Sequence, residues 1–580
     1  MATQTDSNEI SISHIIAGTL DAYRQMDIRV RWYLLGVLLP SLGLFVGSIL
    51  AAFAFDFPVV IRVLIVVFGF LIVVGAVIYP RLVIDRRRIE MENKFHLLVT
   101  HMTVLSTTNI DRVEVFRRLG REVDEYGELA IEMNRIVQLV DTWNQSLDDA
   151  CRRRAQEIPS DSVSDFFDRL AYTIGAGQRL DEFLLNEQNT IIQNYSTIYQ
   201  SNLENLGVLK DLYLSIIISM TFGLVFAIVL PILTGTDPTM TVSAVLVMFA
   251  FVQLGFVTLI KAVVPYDPVW FSPSDAWTRT RTYLLAGLAL GGVLSFVLVA
   301  IMLGSFLKIS IAEAIFPTTM VPRPLYVAIP ITPLLLPGLL FRRFENQIQD
   351  RDDAFPNFIR ALGATESVKQ STTSTVLTTL RKKDFGALTE NIENLYRRLN
   401  MRLDDNLAWA YFAAETQSYL IEKFSDMYLV GREIGGDPKQ LGELIGKNMN
   451  AINQLRERRS QEAVSLIGIL YGISVASAFS FFIGLEVVGV ISGLEIGLEE
   501  IERAGTGVSQ LLHPGSYDLE IIEYLILVLI LFNSLLGSLL IRISDGGHKG
   551  NSYLHFVVLT WIACLTGYAT KVLIGMFMSI

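Results

Sequence analysis

Long apolar runs, bounded by short polar breaks, alternate with two polar stretches of more than a hundred residues each. A helix crosses a bilayer's hydrocarbon core with about 20 residues at 1.5 Å rise. Nine runs meet or approach that length: 33–55, 59–79, 212–234, 241–264, 283–307, 325–341, 463–494, 520–542 and 554–577. The sixth is short and carries Pro330, Pro333 and Pro337, which remove amide donors and predict a kink or break. The seventh is too long for one straight span and holds Glu486; it is expected to tilt, or to leave the membrane near Gly493. Residues 1–31 lack the short apolar core and small-residue cleavage site of a secretory signal. A stripe of Ile12, Ile15, Ile16, Leu20 and Tyr23 predicts a helix lying on the membrane or on the protein itself.

The two long connections, 80–211 and 342–462, hold 34 of the 47 Lys and Arg residues. The opposite connections are nearly bare of them, with none in 56–58 or 235–240 and only Arg503 in 495–519. Basic clusters abut the spans on the side of the long loops: Arg81 and Arg86-Arg87-Arg88, Arg342-Arg343, and Arg456, Arg458 and Arg459. Such clusters stay in the cytoplasm. Both long loops and the N-terminus are therefore expected inside, and nine spans leave the C-terminus outside.

Both loops carry apolar residues at helical spacing, as in Phe95, Leu97, Leu98, His101, Met102 and Leu105, with few strand-like alternations. They also resemble one another. Phe95 with Ser106-Thr107-Thr108 matches Phe355 with Ser371-Thr372-Thr373, and Leu147-Asp148-Asp149 matches Leu403-Asp404-Asp405. Phe166-Phe167-Asp168 then matches Phe424-Ser425-Asp426, and Gly175-Ala176-Gly177 matches Gly435-Gly436. The pattern predicts two copies of one helical unit. The expected class is an all-α polytopic membrane protein with about nine transmembrane helices and two duplicated cytoplasmic helical-bundle domains. Its expected order is a cytoplasmic N-terminal segment (1–31), spans one and two (32–79), helical domain one (80–211), spans three to six (212–341), helical domain two (342–462) and spans seven to nine (463–580).

Composition narrows the function. Of 580 residues, 51% are hydrophobic and 18% charged, with a mean hydropathy of +0.44, which excludes an ordinary water-soluble enzyme. A net charge of −11 argues against a nucleic-acid binder. Cys151 and Cys564 lie too far apart for a disulfide framework or a cysteine zinc cluster.

Candidate chemistry is sparse. Gly442-Glu443-Leu444-Ile445-Gly446-Lys447-Asn448 has three residues, not four, between its glycines, and Asn448 where a phosphate loop needs a hydroxyl; it reads as helix. Gly175-Ala176-Gly177 follows no strand, which argues against a dinucleotide site. His96 and His101 read as a packed pair. Asp148-Asp149 and Asp404-Asp405 read as capping or helix-surface groups, because neighbours on a helix face apart. Glu486 is either part of a proton path or, as favoured, an outer-leaflet or bundle-paired residue. Arg62 and Lys261 lie near span ends and are expected to snorkel. The juxtamembrane arginines are expected to meet anionic lipids. Arg152-Arg153-Arg154 and Arg381-Lys382-Lys383 sit far from the spans and are candidate partner-docking residues against a default of solvated faces. No catalytic, cofactor or metal site is expected.

The string Val140-Asp141-Thr142-Trp143-Asn144-Gln145-Ser146-Leu147-Asp148-Asp149-Ala150-Cys151 resembles the first cytoplasmic domain of the archaellum membrane platform family, within the type II secretion F superfamily. So do Asp168-Arg169-Leu170-Ala171-Tyr172, Asn109-Ile110-Asp111-Arg112-Val113-Glu114-Val115-Phe116 and Leu230-Pro231-Ile232-Leu233-Thr234-Gly235-Thr236. The resemblance is strong over 80–270 and continues through the second domain. It implies a non-enzymatic, homodimeric platform in the cell membrane that couples a hexameric cytoplasmic motor ATPase to insertion of archaellin subunits and to filament rotation. Other motor components and membrane lipids would be further partners. The platform of an archaeal adhesive pilus is the neighbouring alternative. A secondary transporter, suggested faintly by the broken sixth span, fits poorly with so much chain in two polar domains.

Overall fold

A computed structural model describes residues 33–54, 59–108, 110–271, 279–306, 321–369, 373–502 and 518–578. The expected N-terminal helix lies outside the described residues, as do most of the connections before spans two, six and eight. The chain forms two compact units, Met1–Ile191 and Ile192–Ile580.

In the first unit a π-helical turn (Leu34–Leu38) leads into α1 (Leu39–Ala54) and then α2 (Val59–Ser106). Five short helices follow: α3 (Arg112–Arg121), α4 (Val123–Tyr126), α5 (Glu128–Trp143), α6 (Leu147–Ala155) and α7 (Asp161–Gly175). The unit ends in the first turns of α8 (Leu180–Val229). Local chemistry sets these boundaries. Asp111 caps α3 by accepting from the Val113 amide at 3.0 Å, and Ser146 caps α6. Asn144 ends α5 in the left-handed region. The apolar stripes meet in a core built on Leu98, Val99, Met102, Phe116, Met133, Phe166 and Leu170, all fully buried, with Phe95 edge-on to Phe166 at 5.3 Å.

The second unit continues α8 and adds α9 (Pro231–Thr234), α10 (Pro238–Val263), α11 (Arg279–Phe306) and α12 (Arg323–Ile331). A 3-10 turn (Thr332–Leu334) separates α12 from α13 (Leu335–Lys369), so the sixth span is broken where its prolines predicted. There follow α14 (Thr373–Leu380), α15 (Thr389–Asn400), α16 (Asp405–Thr416) and α17 (Tyr419–Glu433). Then come α18 (Pro438–Glu502), α19 (Leu519–Asp545) and α20 (Ser552–Met578). α18 runs unbroken through Gly493 for 65 residues; the chain does not turn there. No strand occurs among the described residues, only one antiparallel bridge between Trp270 and Ser418.

Seven helices among the described residues are long and apolar enough to cross a membrane, and they coincide with expected spans three to nine. The stretch expected as span one is α1, with 16 residues, and span two falls in the N-terminal part of α2. Small residues let the spans pack closely, since lipid supplies no hydrophobic drive for helix association. A Cβ on Gly338 would lie 2.5 Å from the Leu554 amide of α20, and one on Gly291 would lie 2.9 Å from the Pro333 carbonyl.

The two lobes repeat in geometry as well as sequence. α7 and α17 end in the same three-bond turn. Ala176, Gly177 and Gln178 donate to Tyr172, Ile174 and Thr173; Ile434, Gly435 and Gly436 donate to Val430, Arg432 and Gly431. Gly177 and Gly435 hold φ of 78° and 95°, which only glycine adopts without strain. Ser160 and Ser418, both fully buried, precede α7 and α17. Each donates to a carboxylate three residues before the matched phenylalanine: Ser160 to Glu92 at 3.1 Å, and Ser418 to Asp352.

Candidate functional site

Two clusters singled out from sequence lie in different units. In the last turn of α6, Arg152 and Arg153 are exposed, complementing the negative end of the helix dipole. Arg154 is directed inward. Its Nε and Nη2 reach Glu132 Oε2 at 2.8 and 2.7 Å, and Glu132 is 2% exposed. The pair holds α5 to α6, so Arg154 presents little charge to a partner. Nearby, burial pushes the Cys151 thiol well above its ordinary value, leaving an unreactive packing residue. Arg381 sits 4.4 Å over the Tyr396 ring and 3.4 Å from Glu393, while Lys382 and Lys383 are exposed in the turn after α14. Arg152, Arg153, Arg381, Lys382 and Lys383 are thus the exposed members of the six, with Arg381 engaged by Tyr396 and Glu393.

The Asp-Asp pairs do what helix geometry suggested. Asp404 caps α16, accepting from the Leu407 amide at 3.2 Å, and Asp149 accepts from the Ser146 hydroxyl at 2.9 Å. His101 meets the Tyr126 hydroxyl at 3.0 Å in the lobe core. The Gly442 to Asn448 string lies inside α18, where a helix cannot wrap phosphates.

The juxtamembrane arginines depart from expectation. Arg456 and Arg459 do not face lipid headgroups; they are drawn into the protein, because carboxylates and helix-end carbonyls need donors there. Arg456 Nε and Nη2 grip Asp267 at 2.7 and 2.6 Å, while Nη1 reaches Asp352 Oδ2 at 2.8 Å. Arg459 donates to the carbonyls of Ser544, Pro265 and Ile543 at 2.8–3.1 Å. Arg342 pairs with Asp545 at 2.9 Å; Arg343 and Arg458 remain exposed.

Around this cluster the chain leaving α10 is strapped down. Tyr419 N donates to Val269 O at 3.0 Å and Phe271 N to Gln417 O at 2.8 Å. Trp270 Nε1 donates to Glu345 at 2.8 Å, and Glu345 also accepts from the His548 amide at 2.7 Å and from Asn551 at 2.5 Å. Asp352 lies roughly 16 Å along α13 from Phe341, beyond the sixth span. Burial pushes its carboxyl up to about 7 against the pull of Arg456.

Within the spans Glu486 is paired, as favoured, rather than isolated. Lys571 lies 4.0 Å from it and 3.0 Å from Glu523, which in turn holds Arg323 at 2.9 Å. Lys571 and Glu523 were not singled out from sequence, since their partners lie 48 residues or more away along the chain. The arrangement offers rigid ion-paired joints rather than a nucleophile, a base and an oxyanion donor converging on one point.

Residues 98–231 match the type II secretion system protein F family. The chain is similar to flagella accessory protein J of Methanocaldococcus jannaschii, with 32% identity over 97% of this chain and 98% of that protein. It is also similar to flagella accessory protein J of Methanococcus voltae, with 32% identity over 95% and 97%. No solved structure matches. With two full-length relatives at that identity, a protein F match on the first lobe and many apolar helices, the chain belongs to the flagella accessory protein J family, the non-enzymatic membrane platforms of the archaellum within the type II secretion F superfamily.

Proposed function

We propose that the platform couples a hexameric cytoplasmic ATPase to archaellin insertion and filament rotation, acting as a homodimer with both helical lobes in the cytoplasm. The supporting observation is that long helices join each lobe to apolar segments. α2 and α8 bracket the first lobe, and α13 and α18 bracket the second. At 1.5 Å per residue, the 50 residues of α8 and 65 of α18 make rods of about 75 and 98 Å. A displacement at the lobe end of such a rod reaches the bilayer without a flexible joint. Exposed Arg152, Arg153, Lys382 and Lys383 are the groups offered to acidic surfaces of the ATPase. The span-flanking arginines support the inside placement of 80–211 and 342–462 and of the N-terminus.

Inserting four glycines after Gln461, where α18 passes from lobe to span, tests the coupling. The variant is expected to reach the membrane and retain the ATPase in pull-downs while cells lose swimming. Normal swimming by that variant would refute transmission through α18.

A further inference from the structure

The broken sixth span leaves a space beside it. Among the seven candidate spans α11 is the least buried. Its first half lies close to its neighbours because Gly287 and Gly291 carry no side chain; a Cβ on Gly287 would lie 2.5 Å from the Leu340 side chain. Ser295 Oγ then donates to the Pro330 carbonyl at 2.7 Å, tying α11 to the end of α12. Past Ser295 the residues on that side are larger, Val299 and Leu303 among them, and a cavity of about 770 Å³ lies between α11, α12 and α19.

The cavity changes character along its depth. Arg323 of α12 and Glu520 of α19 line it at the starts of their helices, while Val327, Ile331 and Leu531 line it farther in. From Arg323 to Ile331 and from Glu520 to Leu531 is about 12 and 17 Å at 1.5 Å per residue. That is the depth of one leaflet, half of a hydrocarbon core of about 30 Å. A protein helix crossing the membrane would need the whole core, so the space suits a chain that ends near the midplane. At the mouth, Arg323 Nη1 donates to Glu523 at 2.9 Å and Nη2 to Glu520 at 3.1 Å. A guanidinium has five N–H donors, so these bonds leave three for oxygen atoms arriving at the mouth. Glu520 beside it is exposed and offers acceptors. Among the described residues of this charge cluster, Glu486, Glu520 and Glu523 stand against Arg323 and Lys571. A phosphate would add like charge to that excess of carboxylates. Hydroxyls accept from the guanidinium and donate to Glu520 without adding charge.

We propose that this cavity binds one membrane lipid with an uncharged, hydroxyl-rich headgroup, a glycolipid, its chain lying along α12 between α11 and α19 and its head on Arg323 and Glu520. The lipid comes from the leaflet at the Arg323 end of α12, whichever compartment that leaflet faces. It supplies the packing that α11 lacks there. The site is independent of what the lobes bind.

The full chain, reconstituted in phosphatidylcholine vesicles with a trace of diglucosyl glycerolipid bearing a diazirine in its chain, tests this by photolabelling read residue by residue in a mass spectrometer. Val299, Leu303, Val327 and Ile331 should each take up at least fivefold more label than Phe251 of α10, a bulk-lipid reference that is 71% exposed. A tenfold excess of unlabelled diglucosyl lipid should abolish the difference, and the same excess of phosphatidylglycerol should leave it. Labelling no higher than at Phe251 would overturn the proposal, and so would equal displacement by phosphatidylglycerol. Val327→Trp, which fills the cavity, should bring Val299 and Leu303 down to the level of Phe251; enrichment that persists in this variant would equally refute a lipid inside the cavity. The competition arm uses the unaltered protein and does not depend on the variant folding.

Discussion

Charges that look alike in the sequence have opposite fates in the fold. Arg152 and Arg154 are two positions apart on α6, so one faces water and the other Glu132. Truncating Arg154 to Ala strips a buried carboxylate of a main partner and should cost on the order of 3 kcal/mol, read as a lowered melting temperature. Reversing Arg152 and Arg153 to Glu should leave stability within about 0.5 kcal/mol yet weaken retention of the ATPase in pull-downs. Equal melting shifts in the two variants would contradict the assignment of Arg154 to the core. Asp352 gives a pH prediction. Its folded pKa, about 7, stands above its ordinary value, so the folded state holds the proton more tightly. That stabilisation is complete below about pH 4 and is lost as pH rises through 7, an effect on the order of 1–4 kcal/mol. Asp352→Asn should flatten the fall in melting temperature between pH 5 and 8. A slope as steep as wild type would show that another group titrates.

At the scale of elements, much was readable because the signals are local. Apolar runs marked the seven spans, and Pro330, Pro333 and Pro337 marked the break at Thr332–Leu334. Matched glycines marked turns that prove bond-for-bond equivalent in the two lobes. What could not be read depends on partners distant in sequence. Arg456 sits 189 residues from Asp267, so a cluster beside a span gave no sign that two of its three arginines turn inward. Nor did the sequence show how closely α13 and α18 cross. A Cβ on Gly363 would lie 2.2 Å from the Pro438 carbonyl, and one on Gly442 would lie 2.7 Å from the Ile359 carbonyl. Both obstacles are backbone, which cannot swing aside. Gly363→Leu should therefore destabilise the second lobe by about 1–3 kcal/mol or more, seen as proteolysis within 342–462. A protease pattern like wild type would mean that the two helices part readily there.

For the whole molecule, a relay needs both lobes in the compartment of the ATPase, and the charge distribution makes a sharp demand. Arginines that flank spans resist transfer across the bilayer, and they sit where α2, α13 and α18 pass from apolar span to lobe. Tyr172 in the first lobe and Met401 in the second are 74% and 73% exposed, and Met240, the last residue of the arginine-free connection 235–240, is 74% exposed. Each can be replaced by Cys against a background of two buried native thiols. An impermeant maleimide on intact cells should label Met240→Cys but neither Tyr172→Cys nor Met401→Cys, and lysis should make all three reactive. Because an even number of crossings must separate two lobes that share a side, labelling of only one lobe in intact cells would require an odd count between them. The relay would then fail on geometry alone, whatever the lobes bind.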